Sequence, residues 1–311
     1  MGETKRATGQ PKLTLGTVQL GLPYGIHNRE GMPSEERSFG ILREAWEGGV
    51  VCYDTAAAYG QSEDVLGRFF EGKRPTIVTK IHLNPEPGAS GEQIGREMRS
   101  CIEQSLSRLR MNSIPVVMLH NTRIMEHFGD QVTAAFQTML SEGLIGRAGI
   151  SVATNTEEEY RYLSVYLDHP AYEAIQLPMS VLDHRPVVNG CLGRLAGAGK
   201  TVYVRSVFLQ GLLYMKEDEV PDHLHEAKSL VRLLQDLSEN YSVSIAQMAV
   251  SYIRDLEGVD SLVIGAETAE QVKANLELIE GPALPGRLRE EIAERFRSVP
   301  EYVVTPPVWR K

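Results

Sequence analysis

The chain has 311 residues, and its 32 basic and 41 acidic residues give a formal net charge of −9. This acidic balance argues against a surface for nucleic acid or anionic lipid, because phosphate binding requires a basic footprint. Hydrophobic residues make up 42% of the chain and charged residues 23%, which is typical of a soluble globular protein rather than a disordered one.

Targeting signals and metal motifs are absent from the sequence. No apolar run approaches the roughly 18–20 residues that cross a bilayer, and the polar N-terminus lacks the apolar stretch of a secretory signal. Cys52, Cys101 and Cys191 are unclustered, and the histidines show no ligand spacing. The sequence therefore predicts a cytoplasmic protein with reduced thiols, no metal site and no membrane association.

Short, continuously apolar runs rich in β-branched residues recur along the chain. Such runs are typical of parallel strands that are buried on both faces. They predict eight strands, over Leu15–Val18, Val50–Tyr53, Thr76–Ile81, Pro115–Leu119, Ala148–Val152, Ala174–Leu177, Thr201–Val204 and Ser261–Ile264.

Helical sequences lie between these runs and begin at recognisable caps. A hydroxyl side chain before acidic or helix-forming residues is typical of a helix N-terminus. The predicted caps are Ser34, Ser62, Thr156 and Thr268. Two glycines after Glu47 are expected to end the first helix, and the helix after Thr268 is expected to end near Ile279.

Eight strands, each followed by helical sequence, predict an α/β protein with a (β/α)₈ TIM barrel as a single domain over residues 1–311. Length alone also allows two domains, and a doubly wound sheet is the alternative fold. That fold normally carries Gly-x-Gly-x-x-Gly after its first strand, and residues 15–21 do not supply the pattern. The C-terminal tail after Gly281 is expected to pack irregularly over the barrel.

Four chemically distinctive residues stand at the predicted strand ends. Asp54 follows the second strand with Tyr59 five residues later, Lys80 ends the third strand and His120 ends the fourth. Because a barrel places its chemistry on the loops after the strands, these side chains are expected to meet at one mouth. This is the set required by a tyrosine general acid that a lysine assists.

Each residue of this set also has an ordinary structural interpretation. Asp54 could cap a helix, Tyr59 could be a rim aromatic, Lys80 a surface charge and His120 a core histidine. A lysine at the end of a buried strand is seldom placed there without a partner, however. Taken together and in this order, the four residues favour a catalytic interpretation.

Three separated segments resemble the aldo-keto reductases. Residues 53–63, Tyr-Asp-Thr-Ala-Ala-Ala-Tyr-Gly-Gln-Ser-Glu, resemble the family signature, and Thr79-Lys80 and Leu119-His120 match it at the next two strands. The resemblance extends from about Leu15 to Asn275. It implies a barrel that binds NADPH or NADH across its mouth and reduces a small aldehyde or ketone by hydride transfer.

The resemblance also implies a role for each residue of the set. Tyr59 is expected to hold and protonate the carbonyl oxygen, and a neighbouring Lys80 ammonium favours the phenolate that remains. Asp54 is expected to pair with Lys80, and His120 to donate a second hydrogen bond that orients the carbonyl.

Further strand ends resemble the cofactor-contacting positions of the family. Ser151 and Gln176 match residues that contact the nicotinamide carboxamide, although Val152 replaces an asparagine and Gln176 could instead be a buried glutamine bonded to a neighbouring strand. The full set of expected cofactor-binding residues is Gly16, Thr17, Asp54, Ser151, Gln176, Arg205, Ser206, Phe208, Gly211, Gly265, Glu267, Gln271 and Asn275.

Two of these positions depart from the usual pattern of the family. Arg205 stands where many relatives have an aromatic residue; its guanidinium could stack on the nicotinamide, or contact an anionic substrate or the cofactor pyrophosphate. Glu267 stands where relatives that prefer NADPH often have a basic residue. A carboxylate there would repel a 2′-phosphate and favours NADH, against the family habit of NADPH, so both cofactors stay open.

The expected substrate-binding residues are Gln19, His82 and His120, and their polarity favours a hydroxylated or sugar-like carbonyl compound. His82 is expected to share the face of Lys80 if the third strand continues.

Two alternatives to a reductase stay open: a regulatory subunit that binds a nicotinamide cofactor with little activity, and an isomerase or aldolase with Lys80 as a Schiff-base amine. No sequence pattern sets an oligomeric state.

Overall fold

The computed structural model describes residues 12–25 and 31–309. Within these residues, eight parallel strands pair in chain order and close into a barrel, in which the last strand pairs with the first. The strands are β1 (Leu13–Gly16), β2 (Cys52–Asp54), β3 (Thr76–Ile81), β4 (Ile114–Leu119), β5 (Ile145–Ser151), β6 (Tyr172–Pro178), β7 (Thr201–Arg205) and β8 (Ser261–Gly265). The predicted (β/α)₈ barrel is confirmed.

Helices connect the strands and surround the barrel. They are α1 (Glu35–Glu47), α2 (Ser62–Phe69), α3 (Gly91–Leu109), α4 (Met125–Ser141), α5 (Glu157–Asp168), α6 (Arg185–Val188), α7 (Cys191–Gly197), α8 (Ala227–Tyr241), α9 (Ile245–Arg254), α10 (Ala269–Glu280) and α11 (Gly286–Arg295). Over the two described ranges, no helix combines the length and the apolar character that a membrane span requires.

The prediction for the first strand, Leu15–Val18, lies two residues farther toward the C-terminus than the observed β1, Leu13–Gly16. The chain leaves the sheet at Thr17, whose amide and hydroxyl both donate to the carbonyl of Asp54, and a 3₁₀ turn follows at Val18–Leu20. These bonds end β1 at Gly16 rather than Val18. The second strand ends at Asp54 rather than Tyr53, and the other six predicted strands overlap the observed ones.

Three of the four predicted helix caps are confirmed by hydrogen bonds from the third helical amide to the side-chain oxygen of Ser34, Thr156 and Thr268. The cap predicted at Ser62 is wrong, because α2 has Gln61 at that position. The Ser62 hydroxyl is instead bonded to Thr17 and Thr55 in the interior. Gly49, with φ of +86°, follows the end of α1 as expected.

The expectation of a wholly irregular tail after Gly281 is wrong in part. Residues 286–295 form α11, because Leu288 and Ile292 stand four residues apart and both are buried against the barrel. The chain beyond α11 does pack irregularly, with a 3₁₀ turn at Pro306–Val308. Arg185, the first residue of α6, donates to the carbonyl of Val304 at 3.4 Å, and this bond attaches the C-terminal segment to α6.

The core forms two layers on either side of the sheet. A small cluster fills the barrel, and a larger one packs between the strands and the helices. The inner cluster consists of Cys52, Val78, Val116, Met118, Ala174 and Tyr203. Since both faces of the strands are packed, the carboxyl ends of the strands are fixed in position and present their side chains to one mouth.

Candidate active site

A buried ion pair occupies the floor of the barrel mouth. The Nζ atom of Lys80 lies 2.7 Å from both carboxylate oxygens of Asp54 and 2.9 Å from the carbonyl oxygen of Thr55. Lys80 is 1% exposed and Asp54 is 4% exposed. All three ammonium hydrogens therefore have acceptors, which fixes the position of the positive charge.

Gln176 extends this network toward β5. Its Nε2 donates to Asp54 at 2.7 Å, and its Oε1 accepts from the hydroxyl of Ser151 at 3.1 Å. Gln176 is fully buried and lies beneath the mouth, with partners on the neighbouring β5 and on β2. This arrangement corresponds to the structural alternative for Gln176, and it orients the carboxylate of Asp54.

Tyr59 and His120 lie above the ion pair. The Lys80 Nζ atom is 5.2 Å from the centroid of the Tyr59 ring. The rings of Tyr59 and His120 meet edge to face, with their centroids 5.9 Å apart. The structure thus brings together the four side chains that the sequence placed at the ends of β2, β3 and β4.

His120 is neutral at physiological pH. Burial lowers the pKa of its imidazole to about 3, and the positive charges of Lys80, Arg205 and His82 act in the same direction. A neutral imidazole has one N–H donor and one acceptor nitrogen. His120 can therefore donate a hydrogen bond to a ligand oxygen without carrying a charge.

A network of hydroxyl groups positions the loop that carries Tyr59. The Ser62 amide donates to the carbonyl of Tyr59 at 3.0 Å, and the Ser62 hydroxyl is bonded to Thr17 and Thr55. Gly21 packs against the same carbonyl so closely that a Cβ atom there would lie 1.8 Å from the oxygen. The two backbones can meet in this way only because residue 21 is glycine.

An elongated cleft of about 990 Å³ begins at Tyr59 and His120 and extends across the mouth to α10. Most of the residues predicted for catalysis or binding line it: Gly16, Thr17, Gln19, Asp54, Tyr59, His120, Ser151, Arg205, Ser206, Phe208, Gly211, Gly265, Glu267, Gln271 and Asn275. Lys80 and Gln176 lie beneath its floor, and His82 lies outside it.

The expected substrate trio is not brought together. Gln19 lies against Gly265 of β8, where a Cβ atom at residue 265 would be 2.4 Å from its Nε2. His82 is exposed, because β3 ends at Ile81 and the strand alternation that would place it beside Lys80 stops there. Of the three, only His120 has its ring against Tyr59. Gln19 lines the cleft farther along and His82 acts on His120 only electrostatically, so their substrate assignments stay predictions.

Several residues of the cleft were not expected from the sequence. They are Gln210 and Tyr214 in the 3₁₀ turn after β7, Gln247 on α9, and Pro306 and Pro307 in the tail. Tyr214, Gln247 and the two prolines stand neither at a strand end nor in a family motif, so the sequence pattern gives no signal for them. Gln210 directly precedes the expected cofactor residue Gly211. Tyr24, in the segment after β1, also lines the cleft.

The polar groups of the cleft fit an extended, polar ligand such as a nicotinamide dinucleotide. The Oε1 atom of Gln19 is buried and has no hydrogen-bond partner among the described residues. The backbone after β7 has positive φ angles at Ser206, Leu209, Gln210 and Gly211. Three of these residues, all except Leu209, line the cleft. The N-terminus of α10 borders the opposite end, and such termini attract phosphate groups.

Charge is distributed unevenly along the cleft. Arg205 lies at the end that holds Tyr59 and His120, whereas Glu267 and Glu277 lie toward α10. The negative charge of Asp54 is balanced by Lys80. Among the described residues that line the cleft, the arginine is thus at the Tyr59 end and the two glutamates are at the α10 end.

Comparison with known proteins assigns the chain to a family. The sequence profile of the aldo/keto reductase family matches residues 12–287, and the chain belongs to this family. It is accordingly an oxidoreductase of the aldo-keto reductase type, a class that acts on small carbonyl compounds with nicotinamide cofactors.

Relatives align over nearly the whole chain. The uncharacterized oxidoreductase YqkF of Bacillus subtilis is 25% identical, with 94% of this chain and 95% of the relative covered. L-glyceraldehyde 3-phosphate reductase of Escherichia coli is 27% identical, with 88% and 87% covered. The holo form of aldo-keto reductase AKR11C1 from Bacillus halodurans superimposes with a TM-score of 0.73 at 25% identity, and 94% and 95% of the two chains are covered.

Proposed function

We propose that this protein reduces an aldehyde or ketone to an alcohol, with Tyr59 as the proton donor and NADH as the preferred cofactor. One observation carries the proposal: Tyr59 and His120 face the same point of the cleft, directly above the buried pair of Lys80 and Asp54. This arrangement supports the proposal, because a phenol, a neutral imidazole and a fixed positive charge lie close together.

A bound dihydronicotinamide supplies the hydride that the carbonyl carbon accepts. The residues proposed to hold the cofactor are those that line the cleft at the ends of β1, β5, β7 and β8, with Ser151 toward the nicotinamide and Gln271 and Asn275 toward the adenosine. Ser206 and Gly211, in the left-handed turn after β7, are proposed to face the pyrophosphate.

The chain's own residues manage the charge that develops on the carbonyl oxygen. His120 donates one hydrogen bond to that oxygen, and Tyr59 donates a second and then transfers its hydroxyl proton. The phenolate that remains is stabilised by the Lys80 ammonium, which the 5.2 Å separation from the ring places nearby. Asp54 and the carbonyl of Thr55 hold that ammonium in place.

The charges near α10 support the preference for NADH. Glu267 and Glu277 line this end of the cleft, and no lysine or arginine of the described residues lines it there. A carboxylate repels the 2′-phosphate of NADPH but can accept hydrogen bonds from ribose hydroxyls. The family habit favours NADPH, so this preference is a specific prediction for the chain.

The alternative roles have less support from the geometry. A Schiff base at Lys80 requires an accessible amine, whereas Nζ is buried and its three hydrogens are engaged by Asp54 and Thr55. A regulatory subunit that only binds cofactor has no need of a phenol above a fixed ammonium. A small hydroxylated carbonyl compound is the substrate we favour, and the name of the Escherichia coli relative, L-glyceraldehyde 3-phosphate reductase, agrees with that class.

Oxidation of NADH in the presence of glyceraldehyde tests the proposal. Tyr59→Phe should lower kcat by about 10²–10⁴-fold, the usual contribution of a general acid, while the fluorescence titration of NADH binding stays unchanged. Full activity in Tyr59→Phe would remove the assigned role. Binding of NADH without oxidation by any aldehyde in a single turnover would favour the regulatory subunit instead.

A further inference from the structure

We propose that Arg205 recognises an anionic group on the substrate, so that the enzyme prefers aldehydes or ketones that carry a phosphate or carboxylate over neutral ones of similar size. This inference rests on the proposed reduction and adds the class of substrate. Its starting point is a partly buried guanidinium that lines the cleft beside the reacting groups.

Arg205 is held in place by neutral acceptors. From the end of β7 its side chain reaches past β6 to the loop after β5. There Nη2 donates to the carbonyls of Val152 and Ala153 at 3.0 and 3.1 Å. Nη1 donates to the hydroxyl of Ser206 at 3.1 Å. A guanidinium has five N–H groups, so Nε and one hydrogen of Nη1 stay available for a ligand.

The loop that receives Arg205 is itself fixed. The buried carboxylate of Glu159 accepts hydrogen bonds from the amides of Ala153, Thr154 and Asn155 at 2.7, 2.7 and 3.0 Å. Anchored to this loop, the guanidinium loses little conformational freedom when a ligand binds. Such preorganisation favours recognition of a ligand group at a defined place.

The positive charge of Arg205 has no partner of opposite charge in the part of the chain that the structure describes. Among the described residues, no carboxylate lies within ion-pair distance of it. By contrast, the partly buried Arg185 is paired with Asp183 at 2.8 Å. Partial burial of an unpaired cation is unfavourable, and an anionic ligand group would relieve that cost by supplying the missing charge.

The charge of Arg205 acts at the reacting end of the cleft. Arg205 lines the same cleft as Tyr59, His120 and Tyr24, and its charge contributes to the low pKa of His120. The neighbouring Lys80 is compensated by Asp54, so Arg205 provides the net positive charge there. A carbonyl compound bound beside Tyr59 in the cleft would therefore have its anionic group attracted toward Arg205.

Two pairs of aldehydes test this inference and separate the two anions. Glyceraldehyde 3-phosphate is compared with glyceraldehyde, and succinic semialdehyde with butanal, each by kcat/KM with NADH. We expect the anionic member of at least one pair to be preferred tenfold or more, and Arg205→Gln to lower that preference at least tenfold, chiefly through KM. The affected pair identifies phosphate or carboxylate as the recognised group.

Two variants control for folding and for general electrostatics. Arg205→Lys keeps the charge and should retain part of the preference. Arg123→Gln removes one positive charge from an exposed side chain outside the cleft, which pairs with Glu126 and Glu158, and should leave the preference unchanged. Calorimetric titration of glycerol 3-phosphate against glycerol repeats the comparison without turnover, and Tm values identify any variant that fails to fold.

Each contrary result has its own meaning. Equal kcat/KM within both pairs, or a preference that survives in Arg205→Gln, overturns the inference and leaves the proposed reduction intact. If Arg205→Gln instead weakens NADH binding and affects every aldehyde equally, Arg205 serves the cofactor and the inference is again overturned. If no aldehyde of either pair is reduced, both the proposed function and this inference are overturned.

Discussion

The Nζ atom of Lys80 lies 2.7 Å from each carboxylate oxygen of Asp54, and the two side chains are almost completely shielded from solvent. Neither charge can be screened by water, so each is stable in this position only while the other is present. Because Tyr59 lies directly over the pair, the same contact serves the stability of the barrel and the chemistry proposed for the mouth.

The two partners should therefore be coupled in stability. Asp54→Asn and Lys80→Met should each lower the free energy of unfolding by about 3–5 kcal/mol, the usual effect of an unpaired buried charge. The double variant should be clearly more stable than the sum of these losses predicts, because it leaves no unpaired charge. Chemical denaturation of the four proteins measures this coupling. Strictly additive losses would show that the pair is not a coupled unit.

The same four proteins separate stability from catalysis. The double variant Asp54→Asn/Lys80→Met should regain part of the stability that each single variant loses. It should not regain reductase activity, since the positive charge beside the Tyr59 ring is gone. Recovery of both properties in the double variant would mean that the ion pair has only a structural role.

His120 should make the protein sensitive to acid. Its pKa is about 3 in the folded protein, below the usual 6.5, so the unfolded chain binds more protons between these values. Stability should consequently fall as pH decreases below about 6.5, with His120 contributing a loss of about 1–2 kcal/mol at pH 5. Chemical denaturation at pH 7.5 and pH 5 should show a smaller decrease for His120→Asn than for the unsubstituted chain. An equal decrease in both would contradict the assigned pKa.

Gly21 should be far less tolerant of substitution than an ordinary glycine. In Gly21→Ala the new Cβ atom would meet the carbonyl oxygen of Tyr59 at 1.8 Å, so the loop that carries the phenol must move. We expect lower stability and a loss of activity of at least tenfold, because small displacements of a reacting group are costly.

Gly40 provides the matched control for this substitution. It lies within α1, and a Cβ atom there would have no neighbour within 4 Å. Gly40→Ala should raise stability by about 0.5–1 kcal/mol through helix propensity, without a change in kcat. Thermal unfolding and NADH oxidation compare the two variants, and similar behaviour of both would remove the proposed constraint at Gly21.

Glu267 should set the choice between the two cofactors. Glu267→Gln removes a carboxylate from the α10 end of the cleft and should shift the ratio of Kd values toward NADPH by about tenfold, equivalent to roughly 1.4 kcal/mol. Fluorescence titration with NADPH and NADH measures this directly. Glu290→Gln, on α11 and outside the cleft, removes the same charge and should leave the ratio unchanged. A preference for NADPH in the unsubstituted chain would contradict the role given to Glu267.

The sequence predicted those parts of the site that depend on local order along the chain. Asp54, Tyr59, Lys80 and His120 each stand at or just beyond a strand, and the barrel topology converts that position into proximity. The orientation of His82 depended on one further residue of β3, and that condition is not met because the strand ends at Ile81. The boundaries of strands are set by hydrogen bonds that the sequence does not display.

The remaining parts of the site depend on contacts between distant segments. Pro306 and Pro307 reach the cleft because α11 and the bond from Arg185 direct the tail there, and no periodicity near residue 306 indicates that path. The anchoring of Arg205 on Val152 and Ala153 likewise joins two loops that are 52 or more residues apart. Such contacts are decided by packing, so they became visible only in three dimensions.

The pairing of β1 with β8 has a consequence for the newly made chain. The strand Leu13–Gly16 is synthesised about 250 residues before its hydrogen-bonding partner Ser261–Gly265. Until β8 has been synthesised, the backbone N–H and C=O groups of β1 that bond to it stay unpaired, and the barrel cannot close. Tyr59 and Lys80 are therefore made long before the strand that closes the barrel, and hence before there is a complete cleft in which they can act.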